Sequence, residues 1–401
     1  MRVVVVAEWY PSPADPVHGV WAHRQAIAAR DAGAEVRVLA LRRPVPPIEV
    51  ARRGGFSSWL ADAPTSLKSA VLDGIRVESV PFVAPPRPWS YGVWGHWAAP
   101  PLTLALARVS RSWPFDVLHA HSVTPTGFAA ALARRWGPSL RAPALAISTH
   151  GPDVISVHAR SGAARRATQT ALVQADVVLA NSSWAVRRCE QLAGRALNTR
   201  VVHFGADFPA SAPQRYARPT IVTVAHLHAR KRHALVLHAL AALVPEARPD
   251  YVVIGGGPGR GPLEELTARL GLNERVRFLG QLDNRDAIAE AWRCHLYVMP
   301  SVEEPFGVAY VEAMAGGLPA IGSRGEGGPE DIAAAGGGMV LVPPDDHRPL
   351  ARELSRLLAD LAQLEALGQN ARRNVERHFT WRACGEATVA AYELAIELRG
   401  S

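Results

Sequence analysis

Lysine is almost absent from this 401-residue chain. Lys68 and Lys231 stand among 44 basic side chains, so the other 42 are arginines. With abundant alanine, glycine and proline, this looks like the coding pressure of a GC-rich genome, and a lysine kept against it asks for a chemical reason. Cysteine is scarce too. Cys189, Cys294 and Cys384 are odd in number, far apart and without paired spacing, which argues against a disulfide framework or a zinc site and fits a reducing cytoplasm. No run approaches the ~18 apolar residues of a spanning helix, and the opening MRVVVVAEWY has one positive charge and an apolar run too short for a signal peptide. The expectation is a cytoplasmic protein, soluble or peripheral on the inner face of the plasma membrane. With 48% apolar and 20% charged residues, disorder and fibrous classes are excluded.

The formal charge of +8 is unevenly spread. Residues 1–205 hold 23 basic and 12 acidic side chains, and the remainder 21 and 24. A basic first half suits nucleic acid, anionic lipid or a phosphorylated acceptor, or simply scattered solvated arginines. No run of consecutive like charges chooses between these.

Short β-branched runs alternate with helical patterns. Val3 to Ala7, Glu35 to Ala40, Asp116 to His119, Leu145 to Thr149 and Val177 to Ala180 read as buried parallel strands. After a polar, proline-containing break from Phe208 to Pro219 the rhythm restarts at Ile221 to Val224, Tyr251 to Ile254, Val276 to Leu279, Leu296 to Met299, Ala320 to Gly322 and Met339 to Val342. The fold class is therefore α/β, with two Rossmann-like doubly wound domains over residues 1–205 and 206–380. Residues 381–401 are expected to form a helix returning to the first domain. Residues 85–101, with Trp89, Tyr91, Trp94 and Trp97 among prolines and glycines, suit either a membrane surface or a long loop packed on the core.

The strongest chemical signal runs from Glu303 to Pro319. A strand ends at Pro300, the following loop carries Glu304, Pro305 is expected to open a helix, and Gly307 removes bulk where Phe306, Gly307 and Val308 would turn free amides toward a diphosphate. Glu312 follows Glu304 by eight positions, about 12 Å along a helix that begins near Pro305. That separation suits the two ends of a nucleotide sugar; the bland alternative is an N-terminal helix charge and a solvated face.

This span resembles the donor-site signature of the retaining GT-B-fold glycosyltransferases of family four, such as cell-wall and exopolysaccharide transferases, and the resemblance covers most of the chain in order. It implies two domains facing a central cleft. It places Lys231 on the family lysine that reaches the donor phosphates. His226 stands where the usual arginine would be, with Arg230 or Arg232 as replacements. Gly256, in the loop after Ile254, would lie beside the donor, and Leu279 would line the base pocket. Neither is a fingerprint alone, since backbone packing explains such glycines equally well. The segment from Pro16 to Gln25 resembles the loop that approaches the diphosphate and acceptor, with Gly19 in place of the frequent double glycine. His23, His121 and Asp153 become acceptor-side candidates, and His150 aligns with the histidine near the transferred sugar.

The resemblance implies hexosyl transfer with retention from a UDP- or GDP-linked donor to a hydroxyl acceptor, possible acceptors including a lipid-linked or cell-envelope intermediate. Glu304, His150 and Lys231 would carry it. No cofactor and no metal is expected, because the Asp-x-Asp motif is absent, and no nucleic acid is an expected partner. An anionic membrane surface is the expected partner of the basic half. A nucleotide-sugar epimerase or phosphorylase of the same fold, and a non-catalytic nucleotide-sugar-binding protein, remain alternatives.

Overall fold

The computed structural model describes residues 1–12, 15, 18–44, 69–137, 140, 142–155 and 161–400. Lys68 lies outside the described residues, as do Pro16 and Val17 and the side chain of Trp89. The chain divides into two compact units, Met1–Phe204 with Trp381–Ser401, and Gly205–Thr380.

The first unit is built on an eight-stranded sheet of order β3-β4-β2-β1-β5-β6-β7-β8. Its strands are β1 (Arg2–Ala7), β2 (Glu35–Arg42), β3 (Ala70–Leu72), β4 (Ile75–Pro81), β5 (Val117–His121), β6 (Ala144–Thr149), β7 (Val177–Ala180) and β8 (Thr199–Val201). All neighbours pair in parallel except β3 and β4. The VVVV run of β1 is buried on both faces, as a central parallel strand must be. Helices α1 (Val20–Asp31), α2 (Gly95–Ser112), α3 (Phe128–Trp136), α4 (Gly162–Gln174) and α5 (Ser183–Ala193) cover the sheet.

Two sequence expectations change here. Strand β5 runs on to His121, so both histidines of His119-Ala-His121 sit within it. The aromatic segment is not one long loop: α2 begins at Gly95 and carries Pro100 and Pro101. Trp94 is buried, its indole Nε1 donating to the Pro85 carbonyl at 3.0 Å and to Ser90 Oγ at 2.9 Å, whereas Trp97 is 39% exposed.

The second unit holds a six-stranded parallel sheet of order β11-β10-β9-β12-β13-β14. Its strands are β9 (Thr220–Val224), β10 (Asp250–Ile254), β11 (Val276–Gly280), β12 (Leu296–Val298), β13 (Ala320–Ser323) and β14 (Met339–Val342). Counted within the unit, that is the 3-2-1-4-5-6 order of a doubly wound fold, with its switch point between β9 and β12. Its helices are α6 (His233–Ala241), α7 (Arg260–Arg269), α8 (Asn284–Ala291), α9 (Val308–Ala315), α10 (Gly327–Ala335), α11 (His347–Leu358) and α12 (Leu361–His378). The last helix, α13 (Trp381–Gly400), belongs to the first unit, where it packs on α1 and β6. Its Tyr392 hydroxyl meets His119 Nδ1 at 2.7 Å, and Gln25 Nε2 donates to Thr388 Oγ1 at 3.0 Å.

Candidate active site

In the second unit the loops that leave β9 and β12 flank the switch point, where open α/β sheets receive ligands. The first loop turns through a short helical segment, Ala229–Lys231; the second carries Glu304. They are stitched together by the Val302 amide donating to the Arg230 carbonyl at 2.8 Å. Lys231 Nζ forms an ion pair with Glu304 Oε2 and lies 3.7 Å from Met299 Sδ. Arg230 is 3.7 Å from the same carboxylate oxygen and donates to the Glu303 carbonyl at 3.3 Å. The Lys231 and Glu304 side chains are 11% and 6% exposed, so the pair is largely desolvated. Burial pulls the Lys231 ammonium below its ordinary value, against the opposing pull of Glu304. The Glu304 amide donates to Glu326 Oε2 at 2.8 Å, fixing the loop from the other side.

Helix α9 does not begin at Pro305. It starts at Val308, with Gly307 as N-cap at φ 77°, a left-handed conformation that interrupts any helix through Glu304. The 12 Å spacing therefore does not apply, because Glu304 lies in the loop. No side chain caps α9, so its first amides are unclaimed by a cap. Phe306 is 1% exposed with its ring beside Phe379, so its side chain belongs to the core and only its backbone remains as a candidate for a donor. Val308 is half-buried at the first helical position. Glu312 is buried rather than solvated, and accepts from Asn284 Nδ2 at 3.3 Å.

Around β10, a Cβ on Gly255 would fall 2.1 Å from the Ala225 carbonyl oxygen, and one on Gly257 2.9 Å from the Leu227 nitrogen. Those two glycines serve close backbone packing. Gly256 between them has room, the nearest atom to its would-be Cβ being Gln281 Cβ at 3.6 Å. Leu279 is an apolar side chain left 36% exposed on the edge strand β11. His226 and His228 are exposed, ring centroids 6.1 Å apart, on the loop leading to Arg230. Arg232 turns away to Asp345 at 2.7 Å, which leaves Arg230 as the cation beside Lys231.

In the first unit the corresponding switch point lies between β1 and β5. Gly19, at φ 81°, caps α1, and a Cβ there would lie 2.2 Å from the Trp9 carbonyl group. His23 does not face a ligand: it is 6% exposed, and its ring nitrogens meet Tyr10 Oη at 2.7 Å and Asp73 Oδ2 at 2.8 Å. Asp153 is likewise occupied, accepting from the Val123 amide at 2.7 Å, Thr149 Oγ1 at 3.0 Å and the His150 amide at 3.2 Å. It is 6% exposed and clamps the loops after β5 and β6.

His121 and His150 come together, Nδ1 to Nε2 at 3.0 Å. His150 also stacks on Phe204 at 5.6 Å between ring centroids. Burial lowers the affinity of both rings for a proton; His119 and His150 lower that of His121 further, while the Asp153 carboxylate opposes the shift at His150. Among the described residues, no three or more His, Cys, Asp or Glu are grouped to hold a metal ion.

Two family profiles tile the chain: "Glycosyl transferase 4-like domain" over residues 18–205 and "Glycosyl transferases group 1" over residues 208–374. The chain belongs to the family four, group 1 glycosyltransferases. Among curated relatives of this glycosyltransferase family member, an MMP alpha-(1->4)-mannosyltransferase from Mycolicibacterium hassiacum is 33% identical over 198 residues, 49% of this chain and 48% of its own. The chain spans about half the length of that relative. An N-acetyl-alpha-D-glucosaminyl L-malate synthase from Bacillus anthracis is 28% identical over 311 residues, 73% of this chain and 78% of its own. A solved sucrose-phosphate synthase from Thermosynechococcus elongatus matches with TM-score 0.73 at 20% identity, covering 98% of both chains, which shows the GT-B fold.

Sequence reasoning overlooked several residues that build this family member's site. Glu326, just before α10, and Asn284, the first residue of α8, hold Glu304 and Glu312 and carry no motif of their own. The hairpin bearing Asp73 did have a signal: Asp73-Gly74 is a two-residue turn with both residues at positive φ, 47° and 80°, a pattern that joins antiparallel strands.

Proposed function

We propose that this protein transfers a hexosyl group, with retention, from a nucleoside diphosphate sugar to a hydroxyl acceptor. The Lys231–Glu304 pair at the switch point of the second unit carries the reading. An ammonium has three N–H donors, and Glu304 takes one; a diphosphate oxygen can take another. Glu304 in turn offers its remaining lone pairs to hexose hydroxyls. Arg230 and the uncapped amides of α9 add positive potential where charge collects on the leaving diphosphate. Glu312 is assigned to the ribose, Leu279 to the base, and Gly256 and Gly19 to close backbone approach. In the first unit His150 is the group proposed to meet the sugar.

A two-step route through a glycosyl-enzyme needs a second carboxylate about 5 Å from the first group. No first-half carboxylate stands out in the sequence for that role, so front-face departure and attack is proposed, the diphosphate taking the acceptor proton. Lysine, arginine and helix amides supply the charge that a divalent cation supplies elsewhere, and metal-independent transfer is proposed on that ground. For the basic first half we propose an anionic membrane surface and a lipid-linked or cell-envelope acceptor. Among the described residues no helix is long and apolar enough to cross a membrane.

The decisive experiment screens UDP- and GDP-sugars by thermal shift and then analyses products with and without acceptor. Acceptor-dependent release of nucleoside diphosphate supports the transferase. Sugar isomerised without acceptor points to an epimerase instead, and tight binding with no turnover to a binding protein. Liposome co-sedimentation that ignores anionic lipid content removes the membrane partner.

A further inference from the structure

We propose that His121 sets the tautomer of His150, so that His150 meets its ligand as a hydrogen-bond donor through Nδ1. His121 ends β5 and is 3% exposed; His150 follows β6, the neighbouring strand. Their bond joins His121 Nδ1 to His150 Nε2 at 3.0 Å. His121 Nε2 is buried and has no hydrogen-bond partner. His150 Nδ1 has no partner among the described residues and is not among the buried unpartnered atoms, so it is the ring nitrogen left for a ligand.

Burial and the neighbouring His119 and His150 rings keep His121 neutral near pH 7, and burial does the same for His150 despite the Asp153 carboxylate. Two neutral rings can share one hydrogen bond in two ways. In the first, His150 donates from Nε2. His121 then carries its own proton on Nε2, a buried N–H with no acceptor, and His150 turns a bare lone pair outward. In the second, His121 donates from Nδ1. Only a lone pair on His121 Nε2 is then unpaired, and His150 carries its proton on Nδ1, facing outward. Orphaned buried N–H groups are the rarer and costlier defect, so the second arrangement wins. The protein thereby presents an uncharged donor of fixed direction, suited to a hydroxyl or phosphoryl oxygen. His121 is a positioning residue.

What the donor binds rests on the transferase reading above; the tautomer does not. The test uses the full chain with 15N-labelled histidine, in which two-bond 1H–15N correlations identify the protonated nitrogen, His150 being assigned by its loss in His150→Asn. The expected spectrum shows His150 protonated on Nδ1. His121→Asn, whose amide N–H replaces Nδ1–H, keeps that form; His121→Phe releases His150 to the Nε2-protonated form. With the best nucleotide sugar, His121→Phe lowers kcat/KM about tenfold, the value of one hydrogen bond, and His121→Asn restores most of it. Nε2-protonated His150 in the wild type overturns the proposal, as does a His121→Phe chain that loses activity with an unchanged tautomer. Should that variant not fold, the wild-type and His121→Asn spectra decide. Wild-type chain with Nδ1-protonated His150 but no transfer supports the proposal and overturns the transferase reading instead.

Discussion

Lys231 is one of two lysines kept against an arginine-rich background, and its partner shows what the position demands. Removing it strands Glu304 in a desolvated loop with only Arg230, 3.7 Å away. Lys231→Met should therefore cost stability as well as turnover, about 3–5 kcal/mol for a broken buried pair. The double variant Lys231→Met/Glu304→Gln should recover most of that stability in urea unfolding while remaining at least about 10²-fold slower. A double variant that also recovers turnover would show the pair to be scaffold. The lowered affinity of Lys231 for its proton gives a second test. Its charge is present below the depressed pKa and lost as pH rises through it. The donor kcat/KM should thus fall on the alkaline side before an ordinary lysine would titrate, and Lys231→Arg should remove that limb. Of the residues named from the sequence, Lys231, Glu304 and His150 do occupy strand-end loops. His23 and Asp153 could not be told apart from them by residue type, because what distinguishes them is that their polar atoms are already spent on Tyr10, Asp73, Val123 and Thr149.

Elements were legible where burial on both faces leaves an unbroken β-branched run, as in β1 and β7. They were obscure where it does not. Strand β4, IRVESVP, alternates charge with apolar residues, and Glu78 is held by Arg76 at 3.0 Å and Arg108 at 3.5 Å. The start of α9 was misplaced because Pro305 is a good first helical residue, whereas the deciding feature is the backbone of Gly307. A Cβ there would sit 2.6 Å from the Tyr310 ring. Gly307→Ala should then cost about 1–3 kcal/mol from the left-handed backbone, and should raise the donor KM by displacing the α9 amides. Unchanged melting temperature and KM would remove any special role for that turn. The pairing of His121 with His150 was beyond a single sequence, since it depends on the β5–β6 register that sets His121 against Ser148.

Across the molecule, buried histidines tie stability to pH. His119 is 0% exposed between Tyr392 and Ser148, and burial pulls its pKa down to about 3. The unfolded chain takes up a proton below about 6.5 that the native state refuses, so stability is full above that value and declines as pH falls toward 3. At pH 5 His119 alone should cost about 2 kcal/mol, at about 1.4 kcal/mol per unit. Urea midpoints that coincide at pH 7.5 and pH 5 would contradict this. The bond from His119 to Tyr392 also spans 273 residues of chain. Between its two ends lies the whole of the second unit, residues 205–380, as an uninterrupted segment. During synthesis that segment can close its sheet as soon as it leaves the ribosome, while the first unit, although begun earlier, must wait for Trp381–Gly400 before Tyr392 reaches His119. The part of the chain made first is the part finished last.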